Sequence, residues 1–153
     1  MANQQISQVT PGENELVAVR VIEAPRETIF RAWTDPELLA AWWGPRGFTN
    51  TFSAFDPRPG GIWEFVMHGP NGADYPNTNE FVEITSPERI VLKHVVAPVF
   101  RLTAVFEDLG GRTGMIFRQQ FETAAVFEQV KNYAGPGNEE NLDKLAEVVA
   151  KLV

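Results

Sequence analysis

The sequence predicts an α+β domain: a curved antiparallel sheet of about seven strands around a long C-terminal helix, with two short helices after the first strand. Three observations predict it. A β-branched segment, "LVAVRVIEA", opens the ordered pattern. Six more short apolar runs follow between Phe48 and Phe121, separated by clusters of Gly, Pro, Asn or Asp at hairpin spacing. The chain then closes on "EENLDKLAEVVAKLV", where Leu142, Leu145, Val149 and Leu152 form one helical stripe. A sheet with one covered face needs a cover, and the terminal helix is the only element long enough to supply it. Such a grip leaves a cavity between sheet and helix.

Each element has its own signal. Pro25 stops the first strand and suits the first turn of a helix over "PRETIFRAWT", which places Ile29, Ala32 and Trp33 on one face. Thr34-Asp35-Pro36-Glu37 then combines a cap, a proline for the first helical position and a glutamate three residues after Thr34. The second helix, "ELLAAWW", ends at Gly44-Pro45. Strands are read at "FTNTFSAF", "IWEFVMH", "NEFVEI", "RIVLKHVV", "FRLTAVFED" and "TGMIFRQQF", with "GPNGADYPN" as a loop. "ETAAVFEQVKNYAGPGN" reads as a short piece of helix broken at Gly135-Pro136-Gly137. On the terminal helix, Glu140 with Lys144 and Glu147 with Lys151 are i,i+4 pairs expected on a solvated face. Residues 1–14 read as a flexible polar lead and residues 15–153 as a single domain.

Composition removes several functions. With 153 residues the chain supports one core, so a site must be built on one scaffold. A net charge of −7 with thirteen scattered Lys and Arg offers no footprint for nucleic acid. No apolar stretch reaches the roughly 18 residues of a membrane span, so no membrane insertion is expected. The lack of cysteine excludes thiol nucleophiles and fits a reducing, cytoplasmic setting. Two histidines without His-Glu-x-x-His give no metal site, and no cofactor is expected. No serine lies in Gly-x-Ser-x-Gly, and "GGRTG" is a hairpin turn without the ending of a phosphate loop.

"APRETIFRAWTDPELLAAWWGP", "RPGGIWEF", "MHGPNGADYPN", "SPERIVLKH" and "GNEENLDKLAEVV" together resemble bacterial START-like (SRPBCC) proteins. These carry a domain like the C-terminal part of the activator of the ninety-kilodalton heat-shock chaperone's ATPase. The resemblance runs from about residue 15 to the end and rests on the "TDPE...WWGP...PGG" set. It implies the helix-grip fold, often with a cavity for an apolar ligand. Function still has to be argued from the site.

Strand alternation supplies candidate site residues. In "IWEFVMH", Trp63, Phe65 and Met67 share the inward face. His94 is expected inward because Lys93 faces solvent, and Phe117 and Gln119 inward because Arg118 faces out. "NEFVEI" is read with Glu80, Val82 and Ile84 inward. Three of the four tryptophans lie between Trp33 and Trp43; Trp42 or Trp43, with Phe48, is expected at the cavity mouth and Tyr75 in the loop beside it. This set predicts binding of a small apolar or amphipathic molecule by Trp42, Phe48, Trp63, Phe65, Met67, Tyr75, Glu80, His94, Phe117 and Gln119. Two alternatives stay open: a cyclase-like enzyme using His94 and Glu80 as an acid–base pair, and a co-chaperone-like regulator of a heat-shock ATPase. Homodimerisation is also left open.

Overall fold

The computed structural model describes residues 6–152. β1 (Glu15–Ile22) leads into α1 (Arg26–Thr34) and α2 (Pro36–Trp42). β2 (Thr49–Phe55), β3 (Ile62–His68), β4 (Asp74–Thr85), β5 (Arg89–His94), β6 (Phe100–Asp108) and β7 (Thr113–Phe121) follow as a meander, and α3 (Ala124–Ala150) closes the chain. The seven strands form one antiparallel sheet in the order β1-β7-β6-β5-β4-β3-β2, so the first strand pairs with the last. This is the predicted helix-grip architecture.

The cap of α2 falls one residue later than the Thr34–Glu37 spacing suggests, because Thr34 ends α1 and donates its hydroxyl to the Phe30 carbonyl at 3.0 Å. Asp35 caps α2 by accepting from the Glu37 amide at 3.0 Å, with Pro36 in the first helical position. Thr123 caps α3 through the Val126 amide at 3.2 Å. The core lies between the sheet and the helices. Leu142, Leu145 and Val149 of α3 are buried, as the stripe requires, against a centre that includes Trp33, Trp42, Met115 and Phe117.

Three readings need correction. α3 is one helix of 27 residues that runs through Gly135-Pro136-Gly137 instead of breaking there. Proline costs its own N–H and the bond to the carbonyl four residues earlier, yet helix on both sides, docked on the sheet, carries the turn across the gap. β4 begins at Asp74, so the second half of "GPNGADYPN" is strand paired with β3, with Pro76 at its open end. The inward set of β4 is Asn79 and Phe81, while Glu80 lies on the other face opposite Lys93 and Val82 is 41% exposed. A bulge at Val82 shifts the register between Phe81 and Glu83, which returns Ile84 to the core side. Strict alternation anchored on Ile84 therefore misassigns every residue before the bulge.

The described part of the N-terminal lead is tied to the sheet. Ser7 donates its amide and hydroxyl to Glu107 at 2.8 and 2.6 Å. The side chain of Ile6 crosses Gly114 so closely that a Cβ there would lie 2.9 Å from Ile6 Cγ1. Gly114 is thus the point on β7 where the lead passes over the sheet. Residues 1–5 lie outside the described residues.

Candidate functional site

Between the sheet and α3 lies a cavity of about 260 Å³. Its floor is a cross-strand row in which Asn79 of β4 pairs with His94 of β5, His94 with Phe100 of β6, and Phe100 with Phe121 of β7. Phe65, Met67, Asn77, Leu102, Phe117 and Gln119 extend the floor from neighbouring rows. α3 supplies the roof on both sides of Pro136: Val130, Tyr133 and Ala134 before it, Gly137, Asn138 and Asn141 after it. Trp43, Gly44 and Pro45 form the end wall.

The end wall explains the aromatic run after α2. Trp42, the last helical residue, points into the core, stacks edge-on against Trp33 at 4.9 Å and donates Nε1–H to the Ala32 carbonyl at 2.9 Å. Trp43 sits one residue further, in extended backbone, and its ring packs on Trp63 at 4.9 Å with another side toward the cavity. Gly44 follows at φ +93°, with Met67 Cε only 2.7 Å from where a Cβ would stand. Glycine is favoured there by the positive φ, and a side chain would also have to displace the end of Met67.

α3 holds this wall in place. Lys144 donates to the carbonyls of Gly44 and Pro45, the Arg46 amide donates to Glu140, and the Arg46 guanidinium pairs with Glu147. The helix face read as merely solvated is therefore the dock for the Gly44–Arg46 turn. Burial, with Arg46 nearby, holds the Lys144 ammonium below the usual lysine range.

His94 is fixed on both sides. Its ring stacks on Phe100 at 4.6 Å, Nδ1 lies 2.8 Å from the Pro98 carbonyl, and Nε2 lies 2.7 Å from the side-chain oxygen of Asn77. A carbonyl only accepts, so Nδ1 carries the proton. Burial pushes His94 below the ordinary imidazole range. The Asn77 side-chain nitrogen points the other way and donates to the Tyr75 carbonyl at 2.8 Å. Gln119 accepts from Asn138 at 2.9 Å. Asn79 and Asn141, 1% and 6% exposed, have side-chain oxygens without a partner.

Of the ten expected site residues, Phe65, Met67, His94, Phe117 and Gln119 line the cavity. Trp42 and Trp63 are wholly buried behind it, and Phe48 packs against the 44%-exposed Tyr75 beside the wall. Glu80 is on the opposite face of the sheet, so it forms no acid–base pair with His94. The cavity-lining Asn79 was hidden by the β4 bulge, and Tyr133, Asn138 and Asn141 by the supposed break at Pro136. Alternation in "TGMIFRQQF" also places Phe121 inward, as observed, and could have found Phe100, which falls in step with the inward residues of β6.

A curved antiparallel sheet closed on a terminal helix, with space between them, defines a helix-grip protein of the START-like class. Residues 23–150 match the family model described as "Activator of Hsp90 ATPase homolog 1-like protein", and the chain belongs to that family. No curated protein matches it. The fold is similar to a crystal structure from Nitrosomonas europaea, with a TM-score of 0.84 and 22% identity over 94% of this chain and 100% of that one. A Rhodobacter sphaeroides protein gives a TM-score of 0.83 and 26% identity over 95% and 99% of the two chains. A solution structure from Arthrobacter aurescens gives 0.84 and 23% over 90% and 86%. Among the described residues, no helix is long and apolar enough to cross a membrane.

Proposed function

We propose that this chain is a binding protein for a small, largely apolar molecule held between the sheet and α3. The observation that carries this reading is the cavity itself, about 260 Å³, with Trp43, Phe65, Phe100, Phe117 and Phe121 as walls and a few uncharged polar side chains among them. Aromatic area supplies affinity while sparse polar groups fix orientation. An enzyme reading loses its acid–base pair because Glu80 faces away from His94. The activity named in the family's description belongs to another protein; no contact among the described residues favours it for this one.

Native mass spectrometry of the purified protein tests the reading. The wild-type chain should carry a discrete small-molecule adduct, or accept one from a library of uncharged compounds. Ala134→Trp, which fills the roof of the cavity, should abolish the adduct without unfolding the protein. An adduct equally abundant in both proteins places the ligand elsewhere. A chaperone retained by the wild-type chain and lost on exposed-surface substitution would favour the co-chaperone role instead.

A further inference from the structure

We infer that the cavity takes an uncharged aromatic compound of one or two rings bearing a hydroxyl group, which the carboxamides of Asn79 and Asn141 receive. This deepens the proposed function and rests on it.

Size comes first. An apolar cavity of about 150 Å³ accommodates one benzene ring. The present cavity, about 260 Å³, has room for a second ring or a short substituent. Its walls are flat aromatic surfaces, which match the faces and edges of a ring better than a flexible chain.

Charge comes second. No Asp, Glu, Lys or Arg lines the cavity among the described residues. A carboxylate or ammonium entering it would lose water and meet no counter-charge, so an uncharged ligand is selected. Lys144, whose ammonium reaches the end wall, is committed to the Gly44 and Pro45 carbonyls.

Hydrogen-bonding capacity comes third. His94 is engaged by Pro98 and Asn77, and Gln119 by Asn138. Asn79 on the floor and Asn141 on the roof are both more than nine-tenths buried, with unpartnered oxygens. Asn79 is not held there for its cross-strand neighbour Trp63, whose Nε1–H is also unpartnered. Buried amides without partners are costly, and two of them at one cavity mark where a ligand's polar group belongs. A half-turn of either amide exchanges acceptor for donor. A hydroxyl, which both donates and accepts, satisfies either orientation.

Calorimetric titration of the full chain with 2-naphthol, 2-methoxynaphthalene and naphthalene-2-carboxylate tests this. Wild-type protein should bind the naphthol about tenfold more tightly than the methyl ether, with no binding of the carboxylate. Asn79→Leu and Asn141→Leu should each erase most of that preference while still binding the ether, and should melt no lower than wild type. Equal affinity of naphthol and ether for wild type, or a preference that survives both substitutions, overturns the hydroxyl assignment and leaves the binding site standing. Preferential binding of the carboxylate overturns it as well. A variant that melts well below wild type shows its amide to be structural and counts against the assignment. Failure of all three compounds to bind overturns the binding site and this inference together.

Discussion

Lys144 of α3 donates its ammonium to the carbonyl oxygens of Gly44 and Pro45, 3.2 and 3.4 Å away, and thereby fixes the end wall of the cavity from the helix that forms its roof. Lys144→Met keeps the apolar stem and removes both bonds. Hydrogen bonds from a charged donor contribute about 1.5–3 kcal/mol, part of which is offset here by the burial that lowers the lysine's pKa. The expected loss in urea denaturation is about 1–2 kcal/mol. Glu147→Gln, at a half-exposed pair with Arg46, should cost less and lose its effect in high salt. Equal losses would mean that the turn is held by its exposed ion pair.

Pro136 stands inside a continuous helix whose two halves both roof the cavity. Alanine restores a donor toward the carbonyl four residues earlier and relieves the ring clash, so Pro136→Ala should stabilise the chain by about 1–3 kcal/mol. Thermal melting checks the sign. A clear loss of stability would mean that the proline ring itself is needed by the docked helix.

Removal of residues 1–9 deletes Ile6 and Ser7, and with them the crossing at Gly114 and the bonds to Glu107. Partial burial of one isoleucine and a charged acceptor put the cost at about 1–2 kcal/mol. A truncated chain that melts with the wild type would show that these contacts add nothing to stability and would fit the sequence-based reading of a flexible polar lead.

His94 has a folded-state pKa below the ordinary imidazole value because it is buried. As pH falls below about 6.5, the unfolded chain takes up a proton that the folded chain refuses, so folding weakens with acid until the lowered folded value is reached. Above that window the residue is neutral in both states and contributes no slope. Denaturation midpoints measured from pH 7.5 down to 5 should fall more steeply for wild type than for His94→Asn. Parallel curves would show that the ring is not kept neutral by its site.

Much of the fold was legible because its signals are local. The Pro-Glu start of α2, the turns between strands and the stripe Leu142, Leu145, Val149 each act within a few residues. The failures came where tertiary contacts overrule a local rule. Packing carries α3 through Pro136, and a single extra residue at Val82 exchanges the faces of β4. The site suffered twice from this, since Asn79 precedes the bulge and the roof residues flank the proline. Trp42 and Trp43 could not be told apart by composition. Which ring meets the cavity depends on the helix ending between them.

The central claim, that a small molecule occupies the space between sheet and α3, is tested most directly by the methyl signals of methionine. The chain has three methionines: Met67 lines the cavity, Met115 is wholly buried outside its lining, and Met1 is the first residue. In a spectrum with methyl-labelled methionine, titration with 2-naphthol should shift Met67 saturably and leave Met115 nearly still, and Ala134→Trp should abolish the shift. A Met67 signal that does not move at saturating probe, or moves equally in Ala134→Trp, would contradict the claim.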